Sequence, residues 1–380
     1  MIEKNKTHRI CSNCVMDTSD SKITFNDNGM CDHCENFYDN IKPLMETESE
    51  SKAKIAIMAK KIKDNGNNND FDCIIGLSGG LDSSYLTHLA VTKMGLKPLV
   101  FHVDAGWNTQ EAVHNIEILI EKLGLDLFTE VIDWEEMKDL QLAFFKSGVP
   151  HIDIPQDVAF FSMMYKFAER YNIKNILTGA NYATEVIRPP VEWMYYADKV
   201  QMREIHNKFG MVKLKNFPSS HILKHKLYLP YIRGIKIVKP LFLFPYVKKD
   251  VEQLLIDEYG FQTFKQKHFE SRFTRFYEGY WLLNKFGYDA RKPQLSSLIL
   301  SNQMIRNEAL KVLKNPPISN DMIRKEFTYI AAKLDISEDE LKQLYDAPNR
   351  SYMDYNNQER LYKLGSKFLK YFGYEVDMRR

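Results

Sequence analysis

The chain has 380 residues, which is too long for one ordinary hydrophobic core and predicts about two or three folding units. Hydrophobic residues make up 44% and charged residues 27%, a composition that disfavours disordered and fibrous proteins. The net charge of +2 gives no overall indication of nucleic-acid binding. No stretch approaches the roughly 18 consecutive apolar residues of a membrane span, and the first residues are polar. We therefore expect a cytoplasmic protein.

Charge is distributed unevenly along the chain. Between Glu111 and Phe160 there are 11 acidic and 3 basic residues, whereas between Gln201 and Asp250 there are 11 basic and 2 acidic residues. The second stretch predicts a surface that faces an anion, such as a phosphorylated or carboxylated substrate. A solvated, lysine-rich surface is the alternative.

Four of the five cysteines form two Cys-x-x-Cys pairs, Cys11 with Cys14 and Cys31 with Cys34. Two short turns that each present two thiolates are typical of a tetrahedral zinc site. Disulfide bonds are the alternative, and the expected cytoplasmic location argues against them. Because all four ligands would be sulfur, with no open position, we expect a structural zinc ion.

These cysteines predict a zinc ribbon over residues 1–45. The segment Asn26–Gly29 has the turn chemistry expected between two short strands. Asp32 and His33 are interpreted as turn residues and not as metal ligands.

Beyond the ribbon, a charged helical connector leads into the polar stretch Lys63–Asp70, which predicts a loop. From there, strand-like apolar segments alternate with segments of helical periodicity. This alternation predicts an α/β fold, a doubly wound parallel sheet with helices on both faces. The predicted strands are Phe71–Leu77, Lys97–Asp104, Leu127–Ile132, Asn175–Thr178 and Lys236–Lys239.

Two regions depart from the alternation. Residues 182–234 are rich in aromatic, proline and basic residues, which predicts an insertion near the carboxyl edge of the sheet, where such sheets bind ligands. After about residue 245 the pattern is helical. We therefore predict an α/β domain over residues 46–245 and a C-terminal helical domain over residues 246–380.

The strongest catalytic signal is the segment Ser78–Ser84, with the sequence SGGLDSS, between a predicted strand and a predicted helix. Two glycines let the backbone approach an anion closely, and the hydroxyls, N–H groups and helix dipole favour phosphate oxygens. The spacing differs from both the Walker A loop and the dinucleotide fingerprint. An ordinary helix cap after a glycine turn is the alternative.

This segment resembles the signature Ser-Gly-Gly-x-Asp-Ser of the PP-loop (N-type ATP pyrophosphatase) superfamily. The segment 175–185 (NILTGANYATE) is similar to the fourth-strand segment of its tRNA-modifying members, and 236–242 (KIVKPLF) to its last-strand segment. Ala180 stands where those members have histidine, and their paired aspartates are missing. The resemblance therefore assigns no metal role to Asn181 or Glu185.

The resemblance implies that these segments surround one ATP molecule, with Ser78, Asp82 and Ser83 as catalytic residues and Asp82 as a partner of magnesium. The residues implied to contact ATP are Leu77, Ser78, Gly79, Gly80, Asp82, Ser83, Ser84, Val103, Asp104, Ala105, Thr178 and Gly179.

Within the superfamily, nearly the whole chain resembles the N-acetyl sugar amidotransferases. The segments that carry this resemblance are RICSNCVMDTSD with CDHC, GLSGGLDSSY, FHVDAGWN, HFESRFTRFYEGYWL and FGYDARKPQLSSLILSNQM, where relatives tend to have glycine in place of Asn302. The resemblance implies adenylation of an N-acetyl oxygen and its replacement by nitrogen from ammonia. The expected products are acetamidino sugars of surface glycans, such as amidinated pseudaminic, legionaminic or mannuronic acids in lipopolysaccharide or on flagellin.

A source of ammonia is also implied. A glutaminase nucleophile needs an activated cysteine, but four of the five cysteines are assigned to zinc and Cys73 lies within a predicted buried strand. We therefore expect a separate glutaminase subunit, which the resemblance likens to that of imidazole glycerol phosphate synthase, with a cyclase-like barrel protein as a further candidate.

Candidate sugar-binding residues combine arginine forks, which bind carboxylates or phosphates, with aromatic faces that stack on sugars. They are Arg188, Trp193, Tyr195, Tyr196, Lys199, Arg203, Arg272 and Arg275. Packing or surface roles are the alternative for each. His268 is a candidate acid or base, although a single histidine is more often structural.

Two other functions stay open at this point. A PP-loop enzyme that thiolates or amidates a tRNA base would use the ribbon and the basic stretch to hold RNA. A nonenzymatic nucleotide-binding adaptor would use the ribbon to recruit partners, although Asp82 after the glycines argues for an active loop.

Overall fold

The computed structural model describes residues 7–45, 48–66 and 69–371. Its centre is a sheet of five parallel strands in the order β3-β2-β1-β4-β5. The strands are β1 (Cys73–Gly76), β2 (Pro98–Asp104), β3 (Leu127–Val131), β4 (Asn175–Leu177) and β5 (Lys236–Val238). The predicted doubly wound α/β fold is therefore confirmed, and each predicted strand contains an observed one.

The sheet is covered on both faces, as its strand sequences require. Along β1, Ile74 packs into one hydrophobic core, while Cys73 and Ile75 pack into the other. Successive side chains of a strand point to opposite faces, so a strand that is apolar throughout needs a layer of helices on each side.

The helices before the insertion are α1 (Asp32–Asn36), α2 (Glu48–Gly66), α3 (Leu81–Thr92), α4 (Gln110–Leu123), α5 (Trp134–Ser147) and α6 (Ile154–Arg170). Helices α3 and α4 lie on the face of Ile75, and α5 and α6 lie on the face of Ile74. The prediction that Lys63–Gly66 belongs to a loop is wrong, because α2 continues through these residues. Residues 67 and 68 of that prediction lie outside the described part of the chain.

The predicted insertion between β4 and β5 contains α7 (Tyr182–Glu185), α8 (Lys199–Phe209) and the π-helical segment Lys224–Ile232. Helix α8 packs on α5. The insertion therefore extends over the sheet and does not form a separate core.

After β5 the described chain is helical, as predicted. The helices are α9 (Lys248–Tyr259), α10 (Arg272–Phe276), α11 (Leu282–Phe286), α12 (Arg291–Leu300), α13 (Arg306–Leu313), α14 (Asn320–Lys333), α15 (Glu338–Asp346) and α16 (Glu359–Tyr371). A π-helical turn, Tyr277–Trp281, joins α10 to α11. Helix α9 packs against α3 and α4, whereas later helices pack on the opposite core. No helix in the described ranges is long and apolar enough to cross a membrane.

The N-terminal region folds around its cysteines. The expected turn is present, with Gly29 at φ 78° and its N–H donating to the carbonyl oxygen of Asn26 at 2.9 Å. The two expected short strands are wrong: residues 7–45 hold only isolated antiparallel bridges, Ile10 with Asp17 and Phe25 with Cys31. Each bridge lies next to a Cys-x-x-Cys turn, so the strand pairing does not extend further.

Candidate active site

The Ser78–Ser84 loop lies where β1 ends and α3 begins, as predicted. Gly79 has φ 78°, and a Cβ atom there would lie 2.4 Å from the carbonyl oxygen of Ala112. A Cβ atom on Gly80 would lie 2.6 Å from the Glu270 carboxylate. Glycine is therefore required here, because it lets the loop backbone pack closely against α4 and the Glu270 side chain.

The start of α3 has the features of an anion site. Gly80 precedes the helix, and the residues that the structure describes form no side-chain cap there. The Ser78 hydroxyl lies 3.1 Å from the Ser83 hydroxyl and accepts a hydrogen bond from the Gly80 N–H at 3.2 Å. The Ser84 hydroxyl is buried without a hydrogen-bond partner among the described residues. Free donors at a helix N-terminus favour phosphate.

Asp82 is the centre of a polar network on the inner side of the loop. Its carboxylate accepts hydrogen bonds from the Asn181 amide at 3.2 Å and from the Tyr246 hydroxyl. The Lys267 ammonium lies 2.8 Å from the other oxygen of Asp82 and 2.5 Å from Glu185. Burial opposes the charge on Lys267, but the two carboxylates outweigh it and raise the pKa of the ammonium.

This network contains residues to which the sequence assigned no role. Asn181 contacts Asp82 directly, and Glu185 is linked to it through Lys267, although the residues around them depart from the superfamily pattern. Lys267 lies immediately before His268, where the late segment that carries the sugar amidotransferase resemblance begins. No sequence signal separates Lys267 from the many other lysines, because its partners are distant along the chain.

A cavity of about 610 Å³ opens beside the loop at the carboxyl ends of β1 and β2. In a doubly wound sheet this edge is where ligands bind. The predicted ATP and sugar residues that line it are Leu77, Ser78, Val103, Ala105, Tyr195 and Tyr196. The insertion and the C-terminal region supply the other walls, including His268, Glu270 and Glu278.

Three further predicted ATP residues lie near the loop but not on the cavity wall. Asp104 accepts a hydrogen bond from the Gly106 N–H at 2.7 Å and so stabilises its own turn. Thr178 and Gly179 follow β4, and a Cβ atom on Gly179 would lie 3.1 Å from Asp82. The role of all these residues in binding ATP stays a prediction.

The remaining sugar candidates are not brought together. Trp193 is fully buried, and its indole N–H donates to the carbonyl oxygen of Ser19 at 3.1 Å, which joins the insertion to the N-terminal region. The Lys199 ammonium donates to the carbonyl oxygen of Ser219 at 3.2 Å. Arg188 is half-buried and Arg203 is exposed.

Arg272 and Arg275 lie on one face of α10, as predicted, and both donate to the buried carboxylate of Glu326, at 3.1 and 2.6 Å. These ion pairs with Glu326 give both arginines a structural role. A sugar-binding role for the arginines therefore stays a prediction without support from the described contacts.

Several titratable groups on the cavity wall have shifted pKa values. Burial opposes charge on His268, but Glu278, whose carboxylate lies 3.0 Å from Nδ1, outweighs it and raises the pKa to about 9. Burial, reinforced by Asp157, raises the pKa of Asp153 to about 7. Burial also raises the pKa of Glu270. Such shifts are common at catalytic sites.

The four predicted cysteine ligands form a buried cluster that could hold a metal ion. The Sγ atoms of Cys11 and Cys34 are 3.9 Å apart, those of Cys14 and Cys31 3.6 Å, and those of Cys31 and Cys34 3.7 Å. A tetrahedral zinc ion with Zn–S bonds of about 2.3 Å requires separations of about 3.8 Å. All four are free thiols, so the ligand set fits zinc.

Residues 270–369 match a family model described as "LPS biosynthesis protein WbpG-like, C-terminal domain". A search of curated proteins returned no significant match.

Solved structures of synthetases and of a tRNA-modifying subunit are similar to parts of the chain. One is the NH3-dependent NAD synthetase from Campylobacter jejuni subsp. jejuni NCTC 11168 with nitrate, at 16% identity and a TM-score of 0.28. The match covers 36% of this chain and 58% of that one, less than two thirds of its length. Another is NMN synthetase from Francisella tularensis (19% identity, TM-score 0.29, covering 61% of this chain and 93% of that one). A third is a predicted subunit of a tRNA methyltransferase from Methanocaldococcus jannaschii DSM, at 17% identity and a TM-score of 0.28. This match covers 48% of this chain and 75% of that one.

The matched region begins at Glu270, on the wall that faces the glycine loop, and extends to the last helix. Residues 270–369 are therefore similar to the C-terminal domain of WbpG-like LPS biosynthesis proteins.

Proposed function

We propose that the protein is an ATP-dependent, AMP-forming amidotransferase that converts the N-acetyl group of a bacterial surface sugar into an acetamidino group. One observation carries the proposal. Ser78, the first residue of the phosphate-type loop, and the WbpG-like segment that contains Glu270 and Glu278 line a single cavity. A nucleotide and a sugar can therefore meet at one point between them.

The loop supports the ATP part of the proposal. Its glycines let the backbone turn tightly beside Ala112 and Glu270, and the uncapped start of α3 suits a phosphate. Asp82 and Glu185 are carboxylates of the kind that magnesium prefers, and they would hold the ion once Lys267 turns towards the phosphates. Bound ATP would supply the adenylyl group.

The chemistry explains why an amidotransferase of this kind needs ATP. An amide carbonyl is a poor electrophile, so ammonia does not displace its oxygen directly. Transfer of AMP to that oxygen makes it a good leaving group, and ammonia can then attack the carbon. The cavity would orient the two reactants, and the loop donors would stabilise the charge that grows on pyrophosphate.

The source of ammonia is proposed to be a separate glutaminase subunit, with a cyclase-like barrel protein as a candidate third component. Cys73 is fully buried in the sheet, and burial raises the pKa of its thiol. The other four cysteines form the metal cluster. No cysteine of the chain is therefore placed to act as a glutaminase nucleophile.

The sugar is proposed to be a nonulosonic acid of the pseudaminic or legionaminic type or a diacetamido uronic acid. The WbpG-like region supports a role in LPS biosynthesis. Tyr195 and Tyr196 offer aromatic surface on the cavity wall. Their position is suited to packing against a sugar ring.

The decisive experiment is mass spectrometry of reactions that contain the purified protein, ATP, magnesium, an ammonium salt and a panel of N-acetylated nonulosonic and uronic sugars. We expect AMP, pyrophosphate and a sugar in which NH replaces oxygen. A parallel reaction with tRNA tests the RNA alternative. A change in tRNA alone would overturn the proposal.

Loop variants connect this activity to the site. Ser78→Ala and Asp82→Ala should lower pyrophosphate release by about 100-fold or more while the protein stays folded. Asp126→Ala, at an exposed carboxylate in the acidic stretch, is the control and should have normal activity. Normal release by both loop variants would remove the loop from the mechanism.

A further inference from the structure

The described structure contains a second group of acidic side chains, away from Asp82, on the cavity wall. Asp153 and Asp157 lie at the start of α6, and Glu278 lies in the π-helical turn that follows α10. Asp153 is 8% exposed and Glu278 7%, so both carboxylates are largely removed from solvent. We call Asp153, Asp157, Tyr277 and Glu278 the acidic pocket.

The carboxylates of this pocket differ in their partners. Glu278 pairs with His268 at 3.0 Å, and Asp157 lies 3.4 Å from the Nε2 atom of His151. Within the described part of the chain, Asp153 accepts side-chain hydrogen bonds only from neutral groups, the Thr274 hydroxyl at 2.7 Å and the Gln156 amide. Among the described residues, no basic side chain forms an ion pair with Asp153. A buried carboxylate without a cation is costly unless a proton or a positively charged ligand neutralises it.

Tyr277 gives an independent indication of a ligand. Its side chain is 1% exposed, and its hydroxyl has no hydrogen-bond partner among the described residues. The ring stacks on His151 at 5.8 Å and lines the same cavity as Asp153. Buried hydroxyls are nearly always paired, so an unpaired one on a cavity wall indicates a missing partner.

The charges select the kind of ligand. The pocket offers carboxylate oxygens and the Tyr277 hydroxyl. The neighbouring imidazoles of His151 and His268 are each already paired with a carboxylate. A phosphate or a sugar carboxylate would be repelled there. A small cation with N–H donors in several directions would satisfy Asp153 and Tyr277 together.

We propose that the acidic pocket binds ammonium and removes its proton, so that ammonia is released beside the amide carbon. This assignment rests on the proposed amidotransferase function. Ammonium transfers one proton to Asp153, and the resulting ammonia forms a C–N bond with the adenylated carbon. The C–O bond to AMP breaks, and its electron pair leaves with AMP. The one surplus proton on nitrogen passes to a second carboxylate of the pocket.

Asp153 is the residue best suited to accept the first proton. Burial, with Asp157 next and Glu278 adding to it, raises its pKa to about 7, against the hydrogen bonds from Thr274 and Gln156. A carboxylate with a raised pKa takes a proton from ammonium more readily than an ordinary one.

Binding can be tested without catalysis by using the thallous ion, which resembles ammonium in charge and size. Crystals of the full chain soaked in a thallous salt should show an anomalous peak in contact with Asp153 and Tyr277. The peak should be lost in Asp153→Asn and weakened in Tyr277→Phe, which removes only the hydroxyl. A peak elsewhere alone, no peak, or an unchanged peak in both variants would overturn the assignment.

Kinetics provide the second test. Exchange of labelled pyrophosphate into ATP, with the sugar present and ammonium absent, measures adenylation alone. Asp153→Asn should retain this exchange within about threefold and lower amidine formation at limiting ammonium by about 100-fold or more. Asp126→Asn, an exposed aspartate, is the matched control and should show neither change.

The two tests separate the inference from the function on which it rests. If the unaltered protein shows no exchange with any sugar, the proposed function fails, and the thallous site still decides whether the pocket binds a cation. If exchange occurs and Asp153→Asn responds to ammonium like the unaltered protein, the function stands and the pocket has no part in it.

Discussion

At the scale of single residues, Lys267 connects the glycine loop to the C-terminal region. Its ammonium lies between Asp82 and Glu185 and also donates to the Thr184 hydroxyl at 3.2 Å. Without a nucleotide it neutralises two carboxylates. In the proposed complex with ATP, the Lys267 ammonium would lie beside the glycine loop and would be suited to bind a phosphate oxygen.

Replacement of this lysine should therefore affect turnover strongly. Lys267→Met keeps the length of the side chain but removes its charge, and we expect ATP turnover to fall by about 100-fold or more. Pyrophosphate release with the sugar present is the measurement. Lys265→Met, at an exposed position two residues earlier, should have normal turnover. Equal activity in the two variants would exclude Lys267 from the site.

The raised pKa of Asp153 leads to a separate prediction about the pH dependence of stability. Its pKa rises from 3.8 to about 7 on folding, so the native state holds this proton more tightly than the unfolded chain. The stabilisation from the protonated group is complete below pH 3.8 and is lost as the pH rises through about 7.

Asp153→Asn cannot ionise and should not show this loss. We expect its Tm to gain on that of the unaltered protein between about pH 4 and about pH 8, measured by calorimetry. Asp126→Asn should follow the unaltered protein at every pH. A constant difference for Asp153→Asn would mean that Asp153 is ionised throughout this range.

At the scale of elements, the cysteine turns are held by a helix from the other end of the chain. The Arg306 guanidinium, at the start of α13, donates to the carbonyl oxygens of Cys11 at 2.7 Å and Cys14 at 2.9 Å. Backbone N–H groups donate to the sulfur atoms, including Cys31 N–H to Cys11 Sγ at 3.2 Å. The metal cluster is thus part of the packing between the N-terminal and C-terminal regions.

Arg306→Ala should weaken zinc binding by about tenfold or more, because groups that orient metal ligands commonly have effects of this size. Competition with a chromogenic chelator measures the affinity. Arg324→Ala, which removes an exposed arginine paired with Asp321, is the control. Cys31→Ser should lower the zinc content itself, and full retention of zinc in that variant would refute the site.

At the scale of the whole molecule, buried charges fasten the C-terminal helices to the cavity wall. Glu326 of α14 is 1% exposed and accepts hydrogen bonds from Arg272 and Arg275 of α10. Helix α10 directly precedes Tyr277 and Glu278. The position of the acidic pocket therefore depends on this triad.

Glu326→Ala leaves two arginines without their partner and should lower the free energy of unfolding by about 3 kcal/mol, since breaking a buried ion pair costs about this much. Urea denaturation is the measurement. Asp321→Ala breaks the exposed pair with Arg324 and should change stability by less than about 0.5 kcal/mol. Similar small changes in both variants would mean that Glu326 has no special structural role.

The sequence alone determined those features whose residues are close together along the chain. The cysteine turns and the strand, glycine loop and helix around Ser78 are local, and alternation along the chain predicted the parallel sheet. The errors were also local, as at Lys63–Gly66, where the polar residues lie on an exposed helix end.

Tertiary structure alone decided which distant residues meet. Lys267 reaches Asp82, Trp193 reaches Ser19, and Glu326 takes both arginines of α10. Side chains so far apart in sequence leave no spacing pattern, since their contact depends on how helices pack over the sheet. For the same reason the acidic pocket, which joins α6 to the turn after α10, could be found only in the folded chain.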